Sequence, residues 1–230
     1  MKKMIALLLV VVMCLSLVAC GSEKKAFEAS KKAYDTINIA YEITEQYGND
    51  IYEVWRLSIY EKDKILEDGV EYLATELSLS EEELNEGIGY WVNTLLPADW
   101  YELTGRYDWI GDYRKCIAAI TNDTDNVFGL AGDNLFSFCV MVVQAAYVNN
   151  GKVGEVQTAL DAAKEQMKAL SEKYSDYEHY SNLKGYYVTT SSFFEFCQNP
   201  SCSFEQCEEI VNDYKSETHD YISNLDYIFE

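Results

Sequence analysis

Ser203-Phe-Glu-Gln-Cys-Glu-Glu-Ile-Val-Asn-Asp-Tyr-Lys-Ser-Glu-Thr-His-Asp-Tyr-Ile-Ser-Asn-Leu-Asp-Tyr-Ile228 decides the fold. Phe204, Cys207, Val211, Tyr214, Thr218, Tyr221, Leu225 and Ile228 recur at alternating spacings of three and four. That rhythm lines one face of an α-helix. Acids and amides fill most positions between them. Ser203 with Gln206 forms a capping box that starts the helix, and Asn199-Pro200 upstream stops the helix before it. In that earlier helix Val156, Leu160, Ala163, Met167, Leu170, Tyr174 and Tyr177 form one stripe. Tyr180, Leu183, Tyr187, Thr190, Phe194 and Cys197 resume it after a phase shift between His179 and Leu183, which predicts a kink around Gly185. Two such helices joined by a short turn make an antiparallel αα-hairpin.

Working outward, the same rhythm recurs near the start of the chain. Phe27, Ser30, Tyr34, Ile37, Tyr41, Thr44, Gly48, Ile51, Trp55 and Ser58 predict a helix from about Ala26 to Glu61. At ~1.5 Å per residue it is on the order of 50 Å long. Asp68-Gly69 is a break, and Val70 to Leu77 a short helix. Ser80 and Glu83 form a second capping box, heading a helix to about Leu96, with Pro97 behind it. Residues 112–120 read as a further helix and 121–126 as a polar turn. Leu135 to Val148 is apolar on most faces, which marks a central buried helix ended by Asn149-Asn150-Gly151. No stretch reads as a strand pair. The expected fold is all-α: an elongated antiparallel helical bundle with a C-terminal αα-hairpin.

Composition narrows the partners. Asp and Glu number 39 against 18 Lys and Arg, a net charge of −21. So acidic a chain is repelled by nucleic-acid phosphates and by anionic lipid heads. Disorder fits badly, because 48% of residues are apolar or aromatic, 19 are Tyr and only two are Pro. So few prolines also suit long uninterrupted helices.

The first twenty residues carry a different message. Lys2 and Lys3 form a positive region and Ile5 to Val18 an apolar one, the pattern of a secretory leader. The run is shorter than the ~20 residues a spanning helix needs. It ends in Leu17-Val18-Ala19-Cys20, which resembles the lipobox of bacterial lipoproteins. The resemblance implies cleavage before Cys20 and lipidation of its thiol. Residues 1–19 would then be the leader, 20–26 a lipidated tether and 27–230 the helical bundle domain. The expected location is the outer face of the bacterial cell membrane. A lipidated N-terminal Cys carries at least two acyl chains, the regime of stable anchoring.

Catalytic and metal signatures are sparse. His179 and His219 are the chain's two histidines. Both fall off the apolar stripes, so both should face outward, and neither begins a zinc-binding pattern. No metal or cofactor is expected. Glu81-Glu82-Glu83 reads as a solvated helix start. Asp123-Thr124-Asp125-Asn126 opens like a calcium loop but has Phe128 where Gly belongs and Asn134 where the closing Glu belongs. With so many acids, a glycosidase-like pair of carboxylates would arise by chance.

Outside the cell, disulfides are permitted. Cys197 and Cys207 lie on inward stripes beside the hairpin turn and form a candidate bridge, with Cys202 a rival partner for either. Cys139 reads as core, and Cys116 is left over. Residues 90–113 crowd aromatics between acids. Either these rings plug one end of the bundle, or Trp100, Tyr101, Tyr107 and Trp109 offer a ligand surface, since rings stack while acids accept hydrogen bonds.

Three functional classes follow in order. The first is a membrane-tethered, extracytoplasmic helical module acting as a protein-interaction or scaffold element of the cell envelope, with a protein partner there and no nucleic acid. The second is a ligand-binding lipoprotein that holds a glycan or peptide through segment 90–113. The third, an envelope hydrolase, ranks last for want of a nucleophile, base or metal set, so the chain is not expected to be an enzyme.

Overall fold

The computed structural model describes the backbone of residues 2–90 and 134–229, and within them the side chains from Glu23 onward. Among the described residues every element is a helix: α1 (Lys2–Tyr60), α2 (Lys62–Asp68), α3 (Val70–Glu76), α4 (Glu81–Tyr90), α5 (Asn134–Asn149), α6 (Lys152–Tyr174), α7 (Tyr180–Gln198) and α8 (Phe204–Phe229). The chain is an all-α bundle. No helix among the described residues is long and apolar enough to cross a membrane.

α1 is the axis on which the rest is laid. The expected stripe is buried from Ser30 through Ser58, with only Phe27 at its start exposed. A second buried seam was not anticipated: Ala26, Ala33, Ala40, Tyr47 and Val54, each seven residues after the last. Two seams let α1 pack against α5, α6, α7 and α8. Ile37 and Ile51 are wholly buried, and each such side chain contributes ~1.5–3 kcal/mol. The buried Thr44 and Thr218 satisfy their hydroxyls on the carbonyls of Ala40 and Tyr214, at 2.7 and 2.6 Å.

Contacts along α1 fix the topology. α5 and then α6 run antiparallel to it: Phe136 packs on Trp55, Tyr147 stacks on Tyr47 at 4.2 Å, and Lys152 reaches Gln46. Gly151, in the left-handed conformation at φ 85°, joins the two. α7 returns parallel to α1, bringing Tyr186 to Asn38 and Cys197 to Thr44. α8 descends again, from Phe204 stacked on Tyr52 to the Phe229 carbonyl, which accepts from Lys31 at 2.8 Å. α4 packs on α5, where bare Gly87 lets the two backbones touch.

Local signals were accurate at the caps. Ser80 and Glu83 exchange the expected bonds, as do Ser203 and Gln206. Gln144, inside the apolar helix, donates to the carbonyls of Cys197 and Gln198 at 3.0 Å, closing the end of α7.

Two expectations need correction, and others fall outside the described residues. The helix does not begin near Ala26: α1 already runs through residues 20–26, with a Lys24–Glu28 pair at 3.9 Å along it. The interruption before α7 is not a kink at Gly185 but a break at residues 175–179. Gly185 lies inside α7 because the Tyr221 ring fills the space its Cβ would need. α4 is described to Tyr90, so its expected end near Leu96 lies outside the described residues, as do the 112–120 helix and the 121–126 turn.

Candidate functional site

A groove of about 620 Å³ runs between α1 and α8, lined by Tyr34, Asn38, Tyr41, Glu42, Glu45, Lys215, Ser216, His219, Ile222 and Asp226. Its floor follows from the α1 stripe. Tyr34 and Tyr41, seven residues apart, project from the same helical face and meet the ring of Tyr186 from α7 at 5.8 and 6.0 Å. Tyr34 and Tyr41 are themselves nearly buried, so the groove sees mainly their polar edges.

Each phenol is held by an acceptor. Tyr34 donates to Asp226, Tyr186 to Asn38, and Tyr41 pairs with Glu45. Burial pushes the Tyr41 and Tyr186 hydroxyls well above the ordinary phenol range, and the neighbouring carboxylates add to it. These phenols are donors and not nucleophiles. Glu42, Glu45 and Asp226 rim the groove, while Lys215 lies 3.8 Å from Glu45 and donates to Asn49 at 2.9 Å. Carboxylate oxygens anchored by phenols keep further lone pairs for a cationic donor. Recognition of ammonium or guanidinium groups is the chemistry this arrangement can perform.

A second polar constellation is sealed inside. Asp50 on α1 is 4% exposed and accepts from the Ser78 N–H at 2.9 Å, the Ser78 hydroxyl at 2.5 Å and the Tyr147 hydroxyl at 2.9 Å. Burial raises its carboxyl above the ordinary 3.8, while these bonds and Lys152 pull it back down. The sequence reading missed Asp50. Its signal was an acid one residue before stripe position Ile51, facing the buried side of α1.

The histidines divide. His219 is exposed, as expected, and lines the groove. His179 does not face outward: its side chain is 19% exposed, with rings of Tyr177 and Phe229 at 5.2 and 6.4 Å. The break before α7 turns it onto the end of α8. Among the described residues no group of His, Cys, Asp and Glu is disposed to hold a metal ion.

Cys197, Cys202 and Cys207 are free thiols. The structure brings Cys197, Cys202 and Cys207, the residues of the candidate bridge and its rival, together at the hairpin turn. Cys197 directs its thiol at the Thr44 carbonyl, 3.9 Å away, and Cys207 shares a hydrogen bond with Cys202. Burial pushes Cys207 up to about 12. Trp100, Tyr101, Tyr107, Trp109 and Cys116, and the side chain of Cys20, lie outside the described residues. No family model matches the chain, and neither does any curated protein or solved structure.

Proposed function

We propose that this chain is a lipid-anchored, extracytoplasmic helical lipoprotein that works by contact with proteins of the cell envelope. Leu17-Val18-Ala19-Cys20 supports the anchor. The observation that carries the interaction reading is the phenol-braced, acid-rimmed groove between α1 and α8, which suits a basic segment of a protein partner. A lysine or arginine side chain would place its charge among Glu42, Glu45 and Asp226 while its stem lies against Ile222.

The test has two arms. Mass analysis of the native N-terminal peptide should find Cys20 acylated, and Cys20→Ser should make membrane association of the protein removable by high salt. Calorimetric titration with a lysine- and arginine-rich peptide should show binding that weakens at least tenfold in the Glu42→Gln/Asp226→Asn variant. Equal binding by the variant, or tighter binding of an oligosaccharide whatever the groove sequence, would move the reading to the glycan-or-peptide alternative in segment 90–113.

A further inference from the structure

The chain's acidity suggests repulsion from anionic membranes, yet its lysines are not evenly spread. α1 and α6 run antiparallel, so the first turns of the bundled part of α1 meet the last turns of α6. A cleft of about 210 Å³ opens there, lined by Lys25, Ala29, Lys32, Gln166, Ala169, Leu170, Lys173 and Tyr174. Lys25, Lys32 and Lys173 are exposed, and none is in an ion pair with a described residue. The neighbouring acid Glu28 is paired with Lys24. The floor is small and apolar. The buried Gln166 Oε1, at this cleft, has no hydrogen-bond partner among the described residues. Further along the same edge of α1, seven residues beyond Lys32, Ile39 is 49% exposed.

We propose that this cleft is a docking surface for the head group of an anionic phospholipid. The phosphate would sit among the three ammonium groups, and the first methylenes would lie on Ala29, Ala169 and Leu170. The inference rests on reading Cys20 as the anchor. Lys25 follows Cys20 by five residues, about 8 Å along a helix, so the cleft lies at the end of the bundle that a lipid on Cys20 holds to the bilayer. Net charge does not forbid this contact. At physiological salt, charges beyond about 8 Å are largely screened, so the balance is set locally, by the three lysines against Glu28, which is paired with Lys24, and the exposed Glu165 and Glu172 on α6. The anchor holds the protein to the membrane, and the cleft sets which side of the bundle faces it.

The experiment uses residues 20–230 with Cys20→Ser, which lack an acyl chain but keep the core, since the first buried residue described is Ala26. Flotation is measured with vesicles of phosphatidylcholine alone and with 30 mol% phosphatidylglycerol. Binding to the anionic vesicles only is expected. Lys25→Gln/Lys32→Gln/Lys173→Gln should reduce it about a hundredfold, roughly fivefold per lysine near an anionic surface. Lys62→Gln/Lys64→Gln/Lys215→Gln changes net charge equally, beyond the far end of α1 and beside Glu45, and should leave it within about threefold. No binding, equal binding to both vesicles, or equal loss in both triple variants overturns the proposal. Displacement by millimolar inorganic phosphate overturns it too, in favour of a free-anion site. Acylation of Cys20 is read separately by mass, so an unacylated native chain that still floats with anionic vesicles would sink the anchor alone.

Discussion

Tyr147 donates its hydroxyl to Asp50 across 2.9 Å in the interior of the bundle, joining α5 to α1 at the point where Ser78 closes the α3–α4 connection. One carboxylate thus ties three segments distant in sequence. Asp50→Ala would leave the Ser78 N–H unsatisfied and the Ser78 and Tyr147 hydroxyls with only each other, 3.1 Å apart. At ~1–3 kcal/mol per orphaned buried group, with relaxation recovering part, a loss of about 3 kcal/mol is expected. Tyr147→Phe should cost only about 1 kcal/mol. Urea unfolding followed by circular dichroism measures both, and equal losses would refute the arrangement.

The same carboxylate sets a pH dependence. Burial raises its folded value above 3.8, so the folded state holds this proton more tightly than the unfolded state. Its contribution to stability therefore grows as pH falls from the raised folded value toward 3.8. It shrinks again as pH rises through that window. Asp50→Asn should remove this component, so the wild type should gain more on acidification than the variant. Parallel stability curves between pH 7 and 4 would contradict the assignment.

Glu83 behaves in the opposite sense. The Ser80 N–H holds its carboxyl below the ordinary 4.5, and Asn150 adds to the effect. This contribution is present above 4.5 and disappears as pH falls through the depressed folded value. Ser80→Ala should cost about 1 kcal/mol at neutral pH. Glu83→Gln, which keeps a cap acceptor, should cost less and flatten the acid limb. A steeper acid limb in that variant would be the wrong sign.

Glycines offer a packing test. A Cβ on Gly87 would meet the Ala146 nitrogen and the Val142 oxygen at 2.8 Å, and backbone cannot step aside. Gly87→Ala should destabilise by about 1–3 kcal/mol through overpacking. Gly154, inside α6, has nothing within 4 Å of a built Cβ. Gly154→Ala should stabilise by about 0.5–1 kcal/mol, the helix propensity gain. Calorimetric melting of the two variants should move in opposite directions.

Much of this was legible in periodicity. The α1 and α8 stripes, both capping boxes and the turn at Gly151 follow from spacing and cap chemistry, which act within a few residues. What spacing could not reveal is what a second helix does to the first. Ala26, Ala33 and Ala40 read as neutral helix formers until α6 lies against α1. Gly185 reads as a breaker until the Tyr221 ring fills its place. The groove was unreadable for the same reason: Asp226 and Tyr34 are 192 positions apart, and nothing local marks either as the other's partner. Acidic net charge likewise hid the lysines of the α1–α6 cleft, because an average over the chain erases where the charges stand.

The meeting of Lys31 with the Phe229 carbonyl has a mechanical meaning. Since α1 and α8 are antiparallel, a pull that separates Lys31 from Phe229 opens their seam like a zipper, one rung at a time, beginning with the Phe27–Phe229 ring contact. A pull on Tyr60 against Phe229 slides the same seam in shear and loads every rung at once. The bundle is therefore soft toward tension at one end and stiff along its length, so force arriving near Cys20 would be felt first by the tail of α8.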